Sequence, residues 1–133
     1  MKEVDKIAFI HLKDGKILST RSKGREKFYI PGGKREPGES DEQTLVREIS
    51  EELSVEIDTS TISYLGTFKA QSDGAAEGVV VKMTCYTAAF TGQLAPANEI
   101  AEMRWLTLAD ASIISAVDQI IFAYLEQQGL LYI

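Results

Sequence analysis

The stretch from Gly33 to Val55, GKREPGESDEQTLVREISEELSV, constrains this chain more than any other. Its second half has the marks of a helix. Ser40 is a suitable N-cap, Gln43 stands at the reciprocal capping-box position, and Pro37-Gly38 upstream is turn chemistry. Leu45, Val46, Ile49 and Leu53 then recur at helical spacing, and at about 100° per residue they form one apolar stripe. Glu48, Glu51 and Glu52 occupy a second arc on the other side. Like charges at this spacing cost a few tenths of a kcal/mol per pair on an exposed helix. A hard divalent cation reverses that sign, because Mg²⁺ prefers carboxylate and water oxygens.

With Gly33 and Glu39 ahead of it, Arg47-Glu48-Ile49 within it and Val55 beyond it, this acidic helix resembles the Nudix box. That box is the signature of hydrolases that cut a diphosphate linked to another moiety. Every charged position of the signature is filled, by Glu39, Arg47, Glu48, Glu51 and Glu52. One position departs: Ser54 stands where the signature has glycine. A glycine there permits a left-handed helix end, which would cost serine about 1–2 kcal/mol. The expectation is an effect on local stability and none on chemistry.

The resemblance implies an α/β fold, a Nudix-type α/β/α sandwich with a mixed β-sheet. Periodicity agrees with it. Val4 to Leu12 reads as a strand, Asp14-Gly15 as a hairpin turn and Lys16 to Thr20 as the returning arm. Further strands are predicted at Phe28-Tyr29-Ile30, Ile62 to Ala70, Val79 to Phe90 and Met103 to Leu106. A second helix is predicted from Leu108 to about Gln128, with Gly129 as its stop. The 133 residues amount to one domain, with no repeat or linker.

Composition narrows the function classes. With 44% hydrophobic and 26% charged residues the chain is ordinary for a globular protein. The net charge of −6 and the absence of a Lys/Arg stripe argue against a nucleic-acid polymer as partner. A small anionic substrate is compatible, since a bound metal supplies local positive charge. The charged start MKEVDK predicts no signal peptide, and with no apolar stretch of membrane-spanning length a cytoplasmic location is expected. Cys85, the single cysteine, fits a reducing compartment and a structural thiol; the lone His11 has no companions for a zinc site.

Carried over by position, the resemblance implies that Glu48, Glu51 and Glu52 ligate Mg²⁺, with Mn²⁺ as the alternative, and that the Gly33 carbonyl adds an oxygen. Arg47 is expected to hold Glu39 or a neighbouring box acid. A further glutamate outside the box, as ligand or general base, is Glu99 or Glu102, with the loop residue Glu77 as a third candidate. Among the basic residues Arg21, Arg25, Lys27 and Lys34, the better candidates for substrate phosphates are Arg21 and Lys34. Phe28 or Tyr29 is a candidate for stacking on a base, the other of the pair belonging to the core.

The marks of other subfamilies are missing: no proline near Gln71 as in ADP-ribose hydrolases, no tyrosine there as in dinucleoside polyphosphate hydrolases, and no NADH-cleaving motif. What remains, the generic pattern with Pro31-Gly32-Gly33-Lys34, resembles the MutT-type group, and that resemblance implies pyrophosphohydrolysis of a (d)NTP or an oxidised (d)NTP such as 8-oxo-dGTP. Hydrolysis of ADP-ribose, a nucleotide sugar or another nucleoside diphosphate derivative is the alternative. A non-catalytic nucleotide-sensing module is a rival of another class. The resemblance also admits a homodimer.

Overall fold

Ile7-Ala8-Phe9-Ile10 is a continuous apolar run, and such a run in a strand calls for cover on both faces. The computed structural model, which describes residues 2–72 and 78–132, meets that demand. Strand β1 (Lys2–Phe9) sends Ile7 and Phe9 into one core and Ala8 into another, and Ile10 just beyond it joins Ala8. The hairpin arms β2 (Leu12–Lys13) and β3 (Lys16–Ser22) follow, then β4 (Gly32–Lys34) and helix α1 (Asp41–Leu53). Next come β5 (Glu56–Ile57), a 3₁₀ turn at Thr59–Thr61, β6 (Ser63–Gln71), β7 (Val79–Thr87), β8 (Phe90–Thr91) and β9 (Ile100–Leu106). A 3₁₀ segment at Leu108–Ile113 leads into helix α2 (Ala116–Gln127).

The main sheet has the order β4-β1-β7-β6, with β1 parallel to β7 and the other pairs antiparallel, so it is mixed as expected. A second sheet, β2-β3-β9, supplies Ile17 and Leu106 to one core and Leu18 to the other. Helix α1 packs Leu45, Ile49 and Leu53 against Ile7 and Phe9. Helix α2 packs Val117, Ile121, Phe122 and Leu125 against Ala8, Met83 and Cys85. The two helices thus cover opposite faces of β1 and β7, an α/β/α sandwich. No helix among the described residues is long and apolar enough to cross a membrane.

Three local expectations are corrected. Phe28-Tyr29-Ile30 is not a ladder strand. Tyr29 exchanges backbone hydrogen bonds with Thr20, whereas the Phe28 N–H donates to the Ile113 carbonyl, so the segment ties β3 to the approach of α2. The ladder forms one step later, where Gly33 pairs with Ile7. The second helical region is broken: Ile114 is extended and buried, and Ser115 caps α2 by accepting the Asp118 N–H. The long strand predicted from Val79 ends at Thr87, and Phe90 begins a separate pair with Ile57. The loop residue Glu77 lies outside the described residues.

Candidate active site

Helix α1 starts as its sequence dictates. The Ser40 hydroxyl accepts the Gln43 N–H, and the Ser40 N–H donates to the Gln43 side chain. Arg47 then organises the acids around it. Its Nε and Nη2 donate to the two Glu39 carboxylate oxygens at 2.7 and 2.9 Å, a bidentate fork. Nη1 donates to Glu48 at 2.8 Å and Glu51 at 3.4 Å, and Nη2 also reaches the Lys34 carbonyl at 3.1 Å. The fork, joined by the Glu36 N–H and the Thr44 hydroxyl, holds the Glu39 carboxyl down at about 2. The same pairing raises the guanidinium further above its usual range.

Two box acids are pushed the other way. Burial raises the Glu48 carboxyl, with Arg47 opposing. Burial also drives Glu52 up to about 8, with Glu48, Glu51 and Glu99 adding repulsion and the Gly32 N–H, donating at 3.2 Å, opposing it. Gly33 fits beside this cluster for want of a side chain. A β-carbon there would lie 2.5 Å from the carboxyl carbon of Glu48.

A cavity of about 720 Å³ opens on the far side of these residues. Gly32, Gly33 and Glu52 line it, and so do Asn98, Glu99 and Ile100. Tyr29, Ile30, Val117 and Asp118 line it too, as do Ile7, Val81 and Met83. Lys6, Lys23 and Arg25 also line it. Asp118 is buried, and its carboxylate accepts the Ile30 N–H at 3.0 Å.

Of the outlying glutamates, Glu99 shares the cavity with Glu52. Glu102 does not line it; it pairs with Arg21 at 3.3 Å and Arg104 at 2.8 Å, which hold its carboxyl below the usual range, Arg104 foremost. Arg21 is spent on Glu102 and the Arg25 carbonyl and lies off the cavity wall. The Lys34 side chain is not on the wall either; only its carbonyl enters the cluster, through Arg47. Phe28 is the core member of its pair, beneath the Arg104 guanidinium at 4.7 Å, and Tyr29 is the one that lines the cavity.

Lys6, Lys23, Asn98 and Asp118 were not singled out from sequence. Ser115-x-x-Asp118 is a capping-box spacing, the one local signal that could have drawn attention to the last of these. Its carboxylate instead serves Ile30.

The donor set suits a hard divalent cation, since the box offers carboxylate oxygens and a backbone carbonyl with neither thiol nor imidazole. Burial, and to a lesser degree repulsion among the acids, disfavours charge on Glu48 and Glu52, and a bound cation would offset that penalty. Among the described residues no three such side chains are already gathered as a cage. Arg47 holds Glu48, and the Gly32 N–H holds Glu52.

An α/β/α sandwich in which a glycine-bearing strand leads into an acidic helix is the arrangement that the box resemblance implies. The family model described as the NUDIX domain matches residues 2–125, and the chain belongs to that family. One relative, the CTP pyrophosphohydrolase of Escherichia coli (strain K12), is 42% identical over 60 residues. That stretch covers 42% of this chain and 44% of the relative, less than half of its length. The solved E. coli ORF135 protein superposes with a TM-score of 0.70 at 28% identity, covering 95% of this chain and 92% of that one. A MutT NUDIX hydrolase from Burkholderia pseudomallei gives a TM-score of 0.66 at 24% identity, covering 82% and 86%, and shares the fold.

Proposed function

We propose that this protein is a divalent-metal-dependent pyrophosphohydrolase that cleaves a nucleoside triphosphate to the monophosphate and pyrophosphate. The observation that carries the reading is one cavity lined both by the acids Glu52 and Glu99 and by Tyr29 and Asp118. Glu48, Glu51, Glu52 and the Gly33 carbonyl would hold Mg²⁺ or Mn²⁺. A bound cation would neutralise phosphoryl charge and acidify the attacking water. Glu99 takes the proton of that water, because it faces the cavity whereas Glu102 is tied to two arginines. Lys23 and Arg25 meet the outer phosphates. Arg47 keeps Glu39 and Glu48 in place and does not touch substrate.

Tyr29 and Asp118 form the base end. A carboxylate accepts hydrogen bonds only, so it favours a base edge that presents amino hydrogens and disfavours a carbonyl at the same place. That selects cytosine, adenine or guanine over uracil and thymine. Together with the named activity of the E. coli relative, it puts CTP and dCTP ahead of oxidised dGTP as substrates. A cytoplasmic location fits this reading, and the buried free thiol of Cys85 is compatible with it.

The test is release of pyrophosphate with Mg²⁺ across CTP, dCTP, UTP, GTP, 8-oxo-dGTP, ADP-ribose and nucleotide sugars, beside Glu52→Gln. Turnover of amino-bearing triphosphates, abolished by that substitution, is expected. Turnover confined to ADP-ribose or nucleotide sugars would overturn the triphosphate reading. Tight nucleotide binding with no turnover of anything would make the protein a sensor.

A further inference from the structure

The last carbonyls of a helix have no partner within it, and α1 has no basic residue in its final turn to serve them. A single short stretch does so instead. The Asn98 side-chain amide donates to the Glu51 carbonyl at 2.7 Å, the Ala97 N–H to Glu52 at 3.1 Å, and the Ala95 N–H to Leu53 at 3.0 Å. The bond is returned at Ser54, whose hydroxyl donates to the Ala95 carbonyl at 3.1 Å. Both side chains of this clamp sit on left-handed backbone, Ser54 at φ 64° and Asn98 at φ 54°. The residue that follows Asn98 is Glu99. From the other side the Lys23 N–H donates to the Glu99 carbonyl at 2.8 Å.

We propose that Asn98 and Ser54 are positioning residues for Glu99. They fasten the strand-entry loop to the end of the helix that carries Glu51 and Glu52, and so set where Glu99 stands relative to Glu52 on the cavity lining. Ser54, in place of the signature's glycine, is then a functional substitution. It accepts a left-handed conformation that glycine would adopt more freely, and in return adds a bond that glycine cannot make. The proposal rests on the reading of Glu99 as proton acceptor.

The experiment is a kinetic double-mutant cycle on the intact protein with Mg²⁺ and CTP, or with whichever triphosphate the panel selects. The variants are Asn98→Gly, Ser54→Gly, Glu99→Gln and the two pairs containing Glu99→Gln. Glycine keeps the left-handed backbone at both positions and removes only the side-chain bond. Asn98→Gly is expected to lower kcat roughly tenfold or more with KM within about twofold, as misplacement of a reacting group by a fraction of an ångström does. Ser54→Gly should lower kcat in the same direction without lowering the melting temperature. Neither substitution should lower kcat further once Glu99 is glutamine. Amide hydrogen exchange at Ala95, Ala97 and Lys23, faster in Asn98→Gly, reads the clamp independently of turnover.

Equal losses from Asn98→Gly with and without Glu99 would overturn the proposal, as would unchanged exchange at those amides. Wild-type kcat in Glu99→Gln would instead sink the reading of Glu99, and with it the clamp's catalytic purpose. Exchange would then still report whether the loop is fastened. A fall in kcat for Ser54→Gly that merely follows the melting temperature would also count against the proposal.

Discussion

Gly33→Ala should damage chemistry while sparing the fold. The new β-carbon would lie 2.5 Å from Cδ of Glu48 and 2.6 and 2.7 Å from its oxygens. Ordinary contact begins at 3.4 Å, so the carboxyl must retreat by about 0.9 Å (3.4 less 2.5). Gly33 is not among the glycines at positive φ, and it lies in strand β4, so alanine meets no backbone strain there. The obstacle is the end of one flexible side chain. Replacing a strand glycine even favours the fold, by roughly 0.5–1 kcal/mol. Misplacement of a reacting or ligating group by about 1 Å costs on the order of 10²-fold in rate, equivalent to about 2.7 kcal/mol of activation free energy. The assay is pyrophosphate release at saturating Mg²⁺, run beside thermal unfolding. The expected pattern is kcat/KM down about a hundredfold with an unchanged or slightly higher melting temperature. In a Glu48→Gln background the same substitution should add little. Activity within about threefold of wild type would refute the argument that Gly33 exists to admit Glu48. So would a loss of activity matched by a collapsed melting temperature.

Other expectations concern pH, the outlying glutamates and the turn at Gly15. Without metal, Glu52 is neutral in the folded state up to about 8, above its ordinary value of 4.5, so its contribution to stability is full below 4.5 and is lost as pH rises through about 8. Melting in EDTA should therefore decline across that window, and Glu52→Gln should flatten the decline; Glu39 has its carboxyl lowered and acts below 4.5, outside the window. Glu99→Gln should lower kcat by roughly 10²–10⁴-fold, the usual worth of a general base, whereas Glu102→Gln should stay within a few-fold; equal effects would show that the cavity wall has been misassigned. Gly15→Ala should cost at least about 1 kcal/mol for its left-handed backbone, because φ is +77°, and would also strike the Tyr132 ring, which a β-carbon would approach to 1.9 Å. Its melting temperature should drop by several degrees with no change in kcat, and an unaltered melting curve would show that neither the backbone nor the Tyr132 contact matters there.

What was legible in the sequence depended on whether the cause was local. The capping box at Ser40 and Gln43, the apolar stripe of α1 and the bidentate reach of Arg47 are all settled within a few residues, and each stands where periodicity placed it. The sandwich was implied by the box resemblance and agreed with the order of strands and helices, and β1, with its unbroken apolar run, is a strand that both cores share. Arg21 shows where such reasoning stops. Its basic character was plain, but its partner Glu102 is brought beside it by the β3–β9 pairing, across most of the chain. The same pairing separates Glu99 from Glu102, with a bulge after Arg21 ending the regular ladder as the cavity begins. Asp118 was hidden for another reason. Helical periodicity suited Ile113 and Ile114, yet Phe28 pairs with that backbone, so the helix starts later and carries Asp118 at its first turn beside Ile30. Ser54 was expected to be a local cost, and the loop that offsets it lies some forty residues on, at Ala95.

In β1, Ile7 and Phe9 serve the core beneath α1, and Ala8 serves the core beneath α2. A slip of one residue would exchange the two sets, forcing a phenyl ring into the space of a methyl group and leaving a void where the ring had been. The strand therefore verifies its own alignment by volume. Because Gly33 pairs with Ile7, that verification extends to the chemistry. A misaligned β1 would carry the glycine away from Glu48, so the bulk of one strand's buried side chains fixes where a carboxylate in the neighbouring layer can stand.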